Sequence, residues 1–139
     1  MDAEAQRALA ELYERVAEHV AAHRPVCEMS GRCCDFPNVD HELFCSDLET
    51  DYAVASAGGE VPESPSGTCP WFVDGLCGLR DGRPLGCRLY FCDPNWSDAM
   101  TDAYERFHGE LRALHERLGQ EYRYRRFVDA AAERRGEAT

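Results

Sequence analysis

Apolar residues recur at three- and four-residue steps in two long stretches of the chain, one near each end. In residues 3–23 they are Ala5, Ala8, Leu9, Leu12, Tyr13, Val16 and Val20, one stripe of an amphipathic helix that Pro25 stops. From Asp98 to Leu118 they are Met100, Tyr104, Phe107, Leu111, Leu114 and Leu118, with steps alternating between four and three. Ser97 is placed to cap this second helix and Gly119 to end it. Shorter elements are also legible. Leu43 to Ala57 predicts one short helix with Ser46 as its cap, and Arg126 to Arg135 predicts a last short helix. The alternation of Tyr122, Arg123 and Tyr124 suits an extended connection.

The middle of the chain lacks either period. Gly58-Gly59, Pro62, Pro65, Gly67, Pro70, Gly75, Gly82, Pro84, Gly86 and Pro94 interrupt it every few residues. Its apolar residues, among them Phe36, Trp71, Phe72, Leu76, Leu89, Tyr90 and Phe91, are too few to order so irregular a backbone alone. The expected architecture is therefore mainly α, a small single domain over residues 1–139. Terminal amphipathic helices (1–26 and 97–139) brace an irregular, cysteine-rich, metal-ligated middle (27–96). No internal repeat and no low-complexity linker marks a second domain, and 139 residues suit one core.

Composition adds exclusions. The net charge is −11, and all 15 cations are arginine because the sequence contains no lysine. Schiff-base, lysine-base and P-loop chemistry are thereby ruled out, and a general basic surface for nucleic acid is absent. No run of about 18 apolar residues is present, so no membrane partner is expected. The sequence has no nucleotide or S-adenosylmethionine fingerprint, no glycine-rich phosphate loop and no Cys-x3-Cys-x2-Cys of the radical enzymes.

The eight cysteines carry the candidate chemistry. Cys27, Cys33, Cys34, Cys45, Cys69, Cys77, Cys87 and Cys92 all fall within residues 27–92, the most acidic part of the chain. A bound metal centre would neutralise that charge and fasten the irregular backbone. Disulfides are the alternative for an even cysteine count. Against them, Met1 to Ala22 opens with acids and has no basic n-region, apolar h-region or cleavage site, which predicts a reducing, cytoplasmic compartment. Close-set thiolates suit zinc or iron–sulfur clusters, and the spacing alone matches neither an ordinary zinc ribbon nor a plain ferredoxin run. Side chains of neighbouring residues diverge, so Cys33 and Cys34 serve two centres, or flank a multinuclear cluster, or include one non-ligand. Eight thiols are enough for two four-cysteine sites.

The order Cys27-x-x-Ser30-Gly31-x-Cys33-Cys34, then Cys69-Pro70, Cys77, and Arg83-Pro84-x-x-Cys87-Arg88, resembles the CxxCxxCC zinc- or iron-chelating family. That family of cysteine-cluster proteins includes a flagellin lysine N-methylase-like branch. The resemblance spans about residues 27–92, with a weaker echo of the family's tail at Tyr122 to Val128. It implies a metal or iron–sulfur centre, of the 4Fe–4S type or alternatively zinc, and it assigns no reaction. One position departs from the pattern: Ser30 stands where the family's second leading cysteine is expected, and Cys45 and Cys92 are candidates to compensate.

Other residues are candidates of lower rank. Arg83 and Arg88 suit hydrogen bonding to cluster sulfur or to an anionic substrate, and equally a structural role with local carboxylates. His41 is the first choice for a non-cysteine ligand. His19 and His23 lie four apart on the first helix, and His108 and His115 seven apart on the second, where packing is the simpler role. Three functions remain open: a redox or cluster-assisted protein acting on a protein or small molecule, a zinc-stapled interaction module, and an enzyme with an open site at Ser30. The stripe from Met100 to Leu118 fits against the first helix or a second copy of the chain.

Overall fold

The computed structural model describes residues 1–25, 43–63, 69–73, 76–90 and 95–137. It is mainly helical and forms one small domain. Helix α1 spans Ala3–His23; the Asp2 carboxylate caps it, accepting from the Ala5 N–H at 3.3 Å. It ends at Arg24, which adopts a left-handed φ of 50° just ahead of Pro25. Strand β1 (Phe44–Ser46) leads into α2 (Asp47–Ser56), and β2 (Phe72–Val73) pairs with β3 (Leu76–Cys77). A 3-10 turn at Arg80–Gly82 and the short helix α3 (Leu85–Leu89) follow, then α4 (Ser97–Leu118), β4 (Tyr124–Arg126) and α5 (Phe127–Glu137).

Two cores hold these elements. In the first, the predicted stripes of α1 and α4 face each other: Leu9, Leu12 and Val16 pack with Phe107, Leu111 and Leu114, and Leu85 and Leu89 of α3 join them. Arg15 pairs with Glu110 across the two helices. The apolar stripe of α4 thus meets the first helix, one of the two partners its sequence allows. The second core lies among β1, α2 and α5 and contains Cys45, Ala53, Cys69, Trp71, Leu79 and Phe127, with Trp71 stacked 5.8 Å from Phe127. Each core is closed largely by aliphatic and aromatic burial, at about 25 cal/mol per Å² of apolar surface.

The ribbon β1–β4 joins sequence-remote segments in antiparallel register, with Phe44 opposite Arg126, Cys45 opposite Arg125 and Ser46 opposite Tyr124. Helix α4 begins at Ser97 itself, with Trp96 at the cap position and making no side-chain cap bond, so the expected serine cap sits one residue inside the helix. Within the irregular middle, the 3-10 turn is seated directly on α2. A Cβ at Gly82 would lie 1.8 Å from the Ser56 Oγ, so only glycine fits there.

Asp47, in the first turn of α2, gathers three arginines: Arg125 at 2.7 Å, Arg123 at 3.3 Å and Arg134 at 3.4 Å. Burial pushes its carboxyl upward, but the hydrogen bond and charge of Arg125, with Arg134 and Arg123, outweigh this and hold it below the ordinary value. A depressed carboxylate contributes stability that is present above the unfolded-state value near 3.8 and lost as pH falls through the lower folded value. Asp47→Asn should therefore lower stability at neutral pH while flattening its decline below about pH 4. Urea titrations of both proteins from neutral to acidic pH check this; parallel pH profiles would rule it out.

Candidate functional site

The described part of the cysteine region is built around a buried carboxylate. Ser46 caps α2, its Oγ accepting from the Glu49 N–H at 3.4 Å, and Glu49 Oε2 accepts in return from the Ser46 N–H at 3.0 Å. The other oxygen, Oε1, accepts from the Leu85 N–H at 2.7 Å and from the Tyr13 hydroxyl at 3.2 Å. Glu49 is 2 % exposed, so one side chain fastens α1, α2 and the first turn of α3 inside the protein. Leu85 is the first residue of α3, where the backbone N–H has no partner within the helix and Pro84 offers no capping group.

The segment from Arg83 to Arg88 is held at its other end by Arg88. Its guanidinium lies 3.7 Å from the centroid of the Tyr13 ring, Nε donates to the Arg83 carbonyl at 2.6 Å, and a terminal nitrogen donates to the Asp81 carbonyl. Burial lowers the Arg88 pKa from its ordinary value. Arg88 thus folds the chain around Cys87 through backbone carbonyls and an aromatic face rather than through local carboxylates. Cys87 is buried on α3.

Cys69 is buried two residues before Trp71, whose carbonyl accepts from the Gly78 N–H at 2.8 Å. Cys77 stands opposite Phe72 in the β2–β3 pair, and Phe72 follows Cys69 by three residues. Cys45 shares the second core with Cys69. The Thr50 hydroxyl donates to the Ser46 carbonyl at 3.3 Å and is left to accept from the Cys45 thiol, also at 3.3 Å. Burial, then the charge of Glu49, pushes that thiol well up, so in this arrangement Cys45 is a protonated core thiol.

Cys27, Cys33, Cys34 and Cys92, together with Ser30 and His41, lie outside the described residues. The described flanks of their segments meet. His23, at the end of α1 from which the chain runs on to Cys27, packs its ring 5.3 Å from Trp96, at the start of α4 and four residues after Cys92. The Trp96 indole N–H donates to the Leu89 carbonyl at 2.7 Å, two residues beyond Cys87. His19 lies 4.4 Å from His23 ring to ring and 5.7 Å from Phe107; burial, then the charges of His23 and Arg106, lowers its pKa. His115 is buried in α4 with Nδ1 3.2 Å from the Glu121 carbonyl, and His108 bonds the Tyr122 hydroxyl.

The donor chemistry fits a soft metal, since Cys69 and Cys87 are buried thiols, the latter on the short helix α3. Among the described residues, no three His, Cys, Asp or Glu side chains come together as a ligand set. Sequence reasoning passed over three residues that organise the region: Glu49, Tyr13 and Trp96. Glu49 had a signal, the Ser46-x-x-Glu49 capping box; so did the hairpin, where Val73 pairs with Leu76 across Asp74-Gly75. Comparison with protein-family models, curated proteins and solved structures gives no match. No helix among the described residues is long and apolar enough to cross a membrane.

Proposed function

We propose that the chain is a cysteine-cluster metal protein akin to the CxxCxxCC chelating family, holding one or two iron–sulfur clusters for redox or cluster-assisted chemistry. The observation that carries this reading is the convergence at α3. Cys87 sits on a helix clamped by Glu49 and Arg88, and the flanks of the Cys27 and Cys92 segments meet at the His23–Trp96 contact beside it. When bound, such a cluster supplies one-electron redox capacity or Lewis-acidic iron. The chain's own part is to hold thiols in an apolar setting and neutralise their charge locally. Arg88, the last residue of the motif and engaged with backbone carbonyls, tunes that setting as a half-buried cation.

Zinc is the second reading, favoured by the burial of Cys69 and Cys87, since structural zinc sites are closed. Protein purified without oxygen and analysed for iron, acid-labile sulfide and zinc, with absorption and EPR spectra, separates the two. Iron and sulfide in matching amounts are expected. Stoichiometric zinc with neither iron nor sulfide would replace the cluster reading with a zinc-stapled module, and protein free of all three would overturn both.

A further inference from the structure

A cleft of about 500 Å³ opens between α3, α4 and the β1–β4 ribbon. This size lies in the range of small-molecule sites, roughly 300–1,000 Å³. Leu43, Phe44, Leu89 and Met100 supply much of its lining. Phe44 stacks on Tyr124 at 5.5 Å, which gives the cleft a flat aromatic edge. Three of its polar groups lie together. The Tyr104 and Tyr124 hydroxyls are 2.6 Å apart, and the His108 ring lies 5.0 Å from that of Tyr124.

When one phenol donates to another, the pair still has one O–H and one oxygen lone pair to offer a ligand. These groups are uncharged near neutral pH. Burial, then the bond to Tyr124, raises the Tyr104 phenol, while burial and the charge of Arg112 lower His108. Glu105 is the one charged side chain among the described lining residues, which include no arginine. Among the described residues an anion would therefore meet a carboxylate and no counter-charge, whereas a neutral ring would meet apolar walls and a phenol pair.

We infer that this cleft is a binding site for an uncharged, ring-bearing small molecule carrying one hydroxyl or carbonyl group, which the Tyr104–Tyr124 pair receives while Phe44, Leu89 and Met100 enclose the ring. The inference goes beyond the metal reading and does not depend on it, although Cys87 also lines the cleft.

The test uses 2-naphthol and its anionic counterpart 2-naphthoate as probes, with binding followed by amide NMR shifts on the full chain. The metal content of each sample is measured in parallel, so that failure of the metal reading is seen separately. 2-Naphthol is expected to bind with a Kd of about 0.1 mM or tighter, within the usual efficiency of small ligands. 2-Naphthoate should bind at least ~10-fold more weakly for want of a counter-charge. Tyr104→Phe should weaken 2-naphthol about 5-fold, the worth of one hydrogen bond. Thr101→Trp, at an exposed lining position on α4, should fill the cleft and abolish binding with unchanged circular dichroism. Equal affinity for the two probes, binding indifferent to Thr101→Trp, or no 2-naphthol binding at millimolar concentration would each overturn the assignment.

Discussion

Glu49→Ala is expected to lower the unfolding free energy by about 4 kcal/mol, measured by urea denaturation followed at the helical circular-dichroism band. The side chain accepts from two backbone N–H groups, of Ser46 and Leu85, and from the Tyr13 hydroxyl, all in a region closed to water. Alanine leaves those donors without an acceptor, at roughly 1–3 kcal/mol each before relaxation, and opens a cavity as well. Glu49→Gln keeps the volume but turns an NH2 toward one of the donors, so about 2 kcal/mol should be lost. The carboxyl also has a pH signature opposite to that of Asp47. Burial raises its pKa despite the Leu85 and Ser46 hydrogen bonds, so its contribution is complete below the unfolded value and lost as pH rises through the folded one. Glu49→Gln removes that decline. A loss below about 1 kcal/mol in the alanine variant would show that α1, α2 and α3 are held together by other means.

Removing the proposed metal centre should cost more. Chelation under anaerobic, reducing conditions is expected to destabilise the protein by roughly 5 kcal/mol or more, since binding to a site absent from the unfolded chain is folding free energy. The loss should be uneven. Hydrogen exchange should rise first in the β2–β3 pair and α3, which are two to five residues long, while α1 and α4 stay protected by their own packed core. Cys87→Ser should release metal and reproduce this pattern. Cys45→Ala should keep the full metal content and cost about 1–2 kcal/mol of packing, because its thiol is bonded to Thr50 inside the second core. Full metal content and wild-type melting in Cys87→Ser would remove α3 from the centre.

The long helices were legible because their period repeats five or six times; noise in a single position cannot hide a stripe such as Met100 to Leu118. Helix α2 was legible through its cap, and the span expected for α5, Arg126 to Arg135, falls within a residue or two of the helix observed. Helix α3 was not, because five residues make little more than one turn and carry no period. Its first turn is held by Glu49 and its Arg88 by the Tyr13 ring, which meet it only after α1 and α2 have packed. The same reason hid Glu49, whose carboxylate looks like any solvated acid until Tyr13 and Leu85 arrive from 36 residues away on either side. The cysteines could be picked out by spacing, as residue type and interval are properties of the chain. Which of them share a centre is a property of the packed molecule. The cleft was invisible for a related reason, since its phenols come from α4 and β4, 20 residues apart.

The antiparallel ribbon has a consequence for the order in which the molecule is made. Phe44 pairs with Arg126, and the N-terminal helix buries its stripe against α4, so both scaffolds wait for chain that leaves the ribosome late. During synthesis Cys45 and Cys69 emerge before Phe127 and the rest of α5, which close the core around them. The nascent chain therefore passes through a stage in which reactive sulfur is open to solvent and to adventitious metals. Loading of the proposed centre would then depend on events after synthesis, and on how quickly α4, β4 and α5 pack onto what precedes them.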